Sequence, residues 1–93
     1  MEAAVHHDRS HHRFTIDLDG TTALLTYKEV GETIYFVHTE VPAPMEGKGI
    51  GGRLAKAGLE YAREHGLKVV ARCPFIASYL QRHPEYQDLL RAD

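Results

Sequence analysis

The chain has 93 residues, 11 Lys+Arg against 13 Asp+Glu and a formal charge of −2. A chain this short builds one core, and folding buries about two-thirds of the surface that its unfolded form exposes. The basic residues are scattered, the apolar runs fall far short of the ~20 residues a membrane helix needs, and no apolar signal core opens the chain, so neither nucleic acid nor a membrane is an expected partner and a soluble, cytoplasmic protein is expected.

Residues 1–12 show no periodicity and carry His6, His7, His11 and His12 around Asp8, Arg9 and Ser10. A metal site needs fixed geometry and supporting groups, so none is assigned; a flexible polar lead-in is expected, with a single domain over residues 13–93. From Arg13 the pattern alternates, Phe14, Ile16 and Leu18 on one face and Thr15 and Asp17 on the other, up to the turn signal Asp19-Gly20. Thr21 to Lys28 is again strand-like, and Gly31-Glu32 separates it from Thr33 to Val41, which predicts three antiparallel strands. Period-two alternation puts Ile34, Phe36, His38 and Glu40 on one face of the third strand and Tyr35, Val37, Thr39 and Val41 on the other. Pro42 and Pro44 end it.

Glu46-Gly47-Lys48-Gly49-Ile50-Gly51-Gly52 then opens an amphipathic helix, expected from about Gly49 to His65 with Gly66 as its stop. A helix start leaves about four N–H donors unpaired and carries roughly half a positive charge, so glycines there suit a phosphate or pyrophosphate. Lys68 to Arg72 is a short strand, and the strand–helix–strand unit should return parallel by a right-handed crossover. Pro74 suits the start of a second helix through about Arg82, and Pro84 the start of a last short one.

Gly47, Gly49 and Gly52 also satisfy the dinucleotide pattern G-x-G-x-x-G. That fold wants the first glycine at the end of an opening strand and an acidic residue after the next one; here three antiparallel strands come first and Arg72 holds the acidic place. The phosphate loop of nucleotide hydrolases fails because no Gly-Lys-Ser/Thr closes the run.

The element order, together with Glu40-Val41-Pro42, Gly47-Lys48-Gly49-Ile50-Gly51, Cys73-Pro74-Phe75 and Arg82-His83-Pro84-Glu85-Tyr86, resembles the GCN5-related N-acetyltransferase superfamily, and within it a group of very short members. The resemblance implies an α+β, GNAT-like three-layer fold: a mostly antiparallel sheet with one parallel β-α-β crossover and helices packed on it. It implies acetyl-coenzyme A as cofactor, transfer of its acetyl group to an unidentified amine, and a fork between the third and fourth strands where pantetheine bonds the backbone near Val41. Cofactor contacts are then expected from Val41, Gly47, Lys48, Gly49, Ile50, Gly51, Gly52, Arg53, Cys73, Phe75 and Tyr79. Where the superfamily has Arg or Gln at the head of its pyrophosphate motif, this chain has Glu46.

Transfer to an amine needs a group to take its proton and one to stabilise or protonate the departing thiolate. Cys73, the only cysteine, would cap the second helix, where free amides favour an anion, and the resemblance makes it a catalytic candidate beside the thioester. Glu40 and His38 are the candidate bases. A coenzyme A-binding module with little transfer activity is the alternative, since so short a domain has few loops for an acceptor site, and a domain that uses its histidines for metal or protein binding is a third reading. An exposed strand edge could pair two copies into a homodimer.

Overall fold

The computed structural model describes residues 4–91. Five strands form one sheet in chain order: β1 (His6–Asp8), β2 (Arg13–Leu18), β3 (Thr21–Val30), β4 (Thr33–Glu40) and β5 (Lys68–Ala71). The first four are mutually antiparallel, and β4 and β5 are parallel, joined by helix α1 (Ile50–Glu64). Helix α2 (Pro74–Arg82) and a 3-10 turn over Pro84–Leu89 complete the chain. This is the expected mostly antiparallel α+β sheet with one parallel crossover.

Local chemistry accounts for the boundaries. Asp19 and Gly20 both turn with positive φ, the geometry of a two-residue hairpin. Helix α1 ends in a Schellman arrangement around Gly66: Leu67 N–H donates to Ala62 C=O at 2.8 Å and Gly66 N–H to Arg63 C=O at 3.3 Å. Apolar positions at helical spacing bury Leu54, Ala55, Gly58, Leu59 and Ala62 of α1 against the sheet. Gly58 lets the helix lie directly on Phe36, where a Cβ would sit 2.7 Å from the ring. Ile16, Leu25, Ile34, Phe36, Leu54, Leu59 and Ile76 are wholly buried in one core. Each contributes about 1.5–3 kcal/mol relative to remaining exposed.

One expectation needs correction. Residues 6–12, expected as a loose lead-in, form β1 and a 3-10 turn over Arg9–His11, so the folded unit begins before residue 13; residues 1–3 lie outside the described part. His7 Nε2 lies 2.7 Å from the Tyr27 hydroxyl, and its ring stacks on Phe14 with 4.1 Å between centroids. That docking is invisible to periodicity because it depends on rings from two other strands and one helix, Phe14, Tyr27 and Tyr61. Both helices pack on one face of the sheet, leaving Lys28, Val30, Val37 and Arg72 exposed on the other.

Candidate functional site

The site starts from one extra residue in β4. Leu25 pairs with Thr39 and Tyr27 with Phe36, so two steps along β3 match three along β4, and the register shifts at Thr26/Tyr27. Val37 is the additional residue, a β-bulge. Paired residues share a face, so Phe36 and Thr39 both point to the helix side, opposite the buried Tyr27 and Leu25. His38 and Glu40 consequently point to the open face, where their side chains are 60% and 61% exposed and 3.6 Å apart. The expectation that they follow Ile34 and Phe36 on the same face is overturned by the bulge.

The bulge also coincides with the place where β4 and β5 part. Their pairing ends at Phe36–Ala71, with one further bond from Arg72 N–H to Phe36 C=O at 2.9 Å. Beyond it β4 runs on to Glu40 while the other chain turns into α2 through Cys73. The two sides meet once more across the fork, Thr39 Oγ1 lying 3.1 Å from Cys73 Sγ. Cys73 is 4% exposed.

A cleft of about 460 Å³ opens from this fork on the helix side, between the loop after β4, the start of α1 and one face of α2. The loop is anchored by Met45, buried beneath a 3-10 turn over Ala43–Met45. Gly47 and Gly49 follow with φ of 79° and 71°, and Gly49 is the N-cap of α1. That left-handed conformation is open to glycine at little cost. The first intrahelical bond runs from Arg53 N–H to Gly49 C=O at 3.1 Å, so the amides of Ile50, Gly51 and Gly52 have no carbonyl one turn back to donate to. Three such amides at a helix start form an anion cradle. Gly51 admits Phe75, whose Cζ would lie 2.7 Å from a Cβ placed there.

Of the expected cofactor contacts, Val41, Gly47, Gly49, Ile50, Gly51, Gly52, Phe75 and Tyr79 line this cleft. Lys48, Arg53 and Cys73 do not: Lys48 is exposed on the turn, Arg53 borders a different hollow beside Val5, Lys56 and Glu60, and Cys73 lies at the fork behind the cleft. Glu46 also lines the cleft, which brings an acidic residue beside the helix-start amides. Arg82 and His83, which were not among the expected cofactor contacts, also line the cleft. They could have been read from Tyr79, since residues three and four further on return to the same side of a helix. Arg82 makes no ion pair among the described residues. The His83 ring stacks on Tyr79, 3.9 Å between centroids, and its Nδ1 lies 3.3 Å from a Glu85 carboxylate oxygen. Burial, then the Glu85 charge, push the Tyr79 phenol above its ordinary range, so it stays protonated at neutral pH.

No helix among the described residues is long and apolar enough to cross a membrane. The outer edge of β5 is capped, Arg91 N–H donating to Val69 C=O at 3.0 Å beside a Val69–Leu90 bridge, and the other edge strand, β1, is three residues long.

Comparison with known proteins agrees with this geometry. A family described as GCN5-related N-acetyl-transferase matches residues 13–89. The human protein NATD1 is 41% identical over 90 residues, covering 94% of this chain and 80% of that protein. NATD1 of Xenopus tropicalis is 39% identical over 90 residues, with 94% and 83% covered. The solution structure of a GCN5-like protein from Staphylococcus aureus superposes with a TM-score of 0.76 at 32% identity, over 99% of this chain and 91% of that one. The matched span runs from β2 through the glycine turn to the residues after α2, and the chain belongs to the GCN5-related N-acetyltransferase family.

Proposed function

We propose that the protein is an acetyl-coenzyme A-dependent N-acetyltransferase whose pyrophosphate site is the start of α1. The observation that carries this reading is the coincidence of a glycine-capped helix start with a sheet that forks beside it. The amides of Ile50, Gly51 and Gly52 would hold the pyrophosphate, with Arg82 supplying the positive side chain that Glu46 cannot. The edge of β4 that β5 leaves unpaired, with Val41 just past its end, would take the pantetheine amides as a strand partner, and Phe75 and Tyr79 would wall the arm.

At the fork the acceptor amine, having lost a proton to the Glu40–His38 pair, attacks the thioester carbonyl. The carbon–nitrogen bond forms, the carbon–sulfur bond breaks, and its electron pair leaves with the coenzyme sulfur. Thr39 and Cys73 pass a proton to that sulfur, the 3.1 Å contact making them one relay, and the second proton, shed by the nitrogen as the amide forms, replaces it. Cys73 does not line the cleft, which favours this role over covalent capture of the acetyl group.

A coenzyme A-binding module of little activity is the competing reading, favoured by Glu46 on the cleft wall. Calorimetry with acetyl-coenzyme A, with NADPH as the competing pyrophosphate ligand, tests the site: selective binding of the former supports both readings, and binding of neither removes them. Release of free thiol with an amine panel then separates enzyme from module. An acetyl mass increment on Cys73 would replace the relay by a covalent intermediate.

A further inference from the structure

The face of the sheet without helices carries a second hollow, of about 300 Å³, lined by Lys28, Val30, Tyr35, Val37 and Arg72. Three features set it apart from an ordinary exposed sheet. Its apolar floor is unusually open, Val30 being 54% and Val37 49% exposed. Its charges are of one sign: Lys28 and Arg72 line it and no carboxylate does. The Arg72 guanidinium lies over the Tyr35 ring, 5.4 Å from its centroid, and Lys28 makes no ion pair among the described residues.

Its position relative to the fork is what gives the hollow a use. Val37 is the bulged residue and Arg72 the first residue past the last β4–β5 pair, so the hollow ends where the strands separate. Beyond it on the same face lie His38 and then Glu40. Arg72 leaves the backbone at the fork, but its guanidinium lies back over Tyr35, the partner of Lys28, so both cations belong to the Tyr35 level; Val37 follows along β4, and the carboxylate–imidazole pair comes next beside the opening. From Tyr35 to Thr39 the strand advances roughly 10 Å.

We propose that this hollow is the acceptor subsite and that the acceptor is a small amine carrying a carboxylate at the far end of an aliphatic arm. The carboxylate is held by Arg72 and Lys28, the arm lies on Val37, and the ammonium meets Glu40 and His38 at the fork, where it gives up its proton. An α-amino acid is too short to span from the guanidinium over Tyr35 to Glu40. The inference rests on the acetyltransferase reading, and its test has an arm that does not.

The test compares ε-aminocaproate with hexylamine, which lacks the carboxylate, and with glycine, which lacks the arm. With acetyl-coenzyme A, ε-aminocaproate should have the highest kcat/KM, and in Arg72→Gln its preference over hexylamine should fall roughly tenfold, through KM. Lys28→Gln, at a second exposed position, should act in the same direction. Equal use of ε-aminocaproate and hexylamine, or a preference unmoved by both variants, overturns the proposal. Independently of the cofactor, titration of the full chain with ε-aminocaproate should shift the amide resonances of Val37 and Arg72 and should cease to do so in Arg72→Gln. No shift in the wild-type chain also overturns it, whereas a shift without acetyl-coenzyme A binding upholds the hollow as a carboxylate site and removes the acetyltransferase reading instead.

Discussion

Thr39 and Cys73 hold the two sides of the fork together, hydroxyl oxygen to sulfur at 3.1 Å, just beyond the point where β4 and β5 cease to pair. The contact exists because the bulge at Val37 turns Thr39 to the helix side. If the pair is a proton relay, Cys73→Ala and Thr39→Val should each lower kcat by about 100-fold while leaving the acetyl-coenzyme A Kd within a factor of about 2, and the double variant should be little worse than either single one. Presteady-state thiol release with calorimetry on the same samples checks this. A loss of affinity in step with rate would mean that the contact only shapes the cleft.

Glu46 and Arg82 face the same cleft with opposite charge. Glu46→Gln should tighten coenzyme A binding, and Arg82→Gln should weaken it, each by roughly tenfold at low salt, because a charge-assisted contact to phosphate is worth about 1.5–3 kcal/mol. Titrations at two ionic strengths check it: the Arg82→Gln variant should bind with a shallower salt dependence than the parent.

The helix glycines differ in what surrounds them. A Cβ at Gly58 would lie 2.7 Å from Phe36 Cε1 and 3.2 Å from Leu25 Cδ2, both side chains fully buried, whereas one at Gly52 would meet only Tyr79 at 3.7 Å. Overpacking costs about 1–3 kcal/mol, and the better helix propensity of alanine returns about 1 kcal/mol. Gly58→Ala should therefore lower stability in denaturant melts by about 1 kcal/mol and Gly52→Ala should leave it unchanged or slightly raised. Gly51→Ala meets the half-buried tip of Phe75 at 2.7 Å, so its effect should appear in coenzyme A affinity more than in stability, as the ring swings into the cleft.

His7 sits among Phe14, Tyr27 and Tyr61. Burial first, and then the charges of Arg9 and His65, hold its imidazole below the usual 6.5. The folded state thus takes up this proton less readily than the unfolded one, and the contribution is complete above about pH 6.5 and lost as pH falls through the folded value. Asp8 adds a second loss at lower pH. Partial burial opposes its charged form, but bonds from Ser10, His11 and Arg13 outweigh this and hold it at about 2 against 3.8 when free, so its contribution is present above 3.8 and lost toward 2. Melting temperature should drop from about pH 7.5 to about pH 5, and His7→Phe, which keeps the ring packing, should flatten that drop.

The amino-acid sequence alone determined what neighbours along the chain decide. Alternation placed β2, β3 and most of β4; Asp19-Gly20 and Gly31 placed their turns; and the glycines after Pro44 placed the start of α1, all consequences of contacts within a few residues. The tertiary structure decided what depends on two segments at once. One added residue at Val37 has no signature in β4 itself, because a bulge exists only relative to the partner strand, yet it turned His38 and Glu40 outward and Thr39 toward Cys73. Arg82 became a cleft residue only when α2 folded against α1, and His7 a structural one only when Phe14, Tyr27 and Tyr61 converged around it. Backbone propensity is local and therefore readable, whereas the facing of a side chain after a register shift, and the company it keeps in a core, are set by packing between elements distant in the chain.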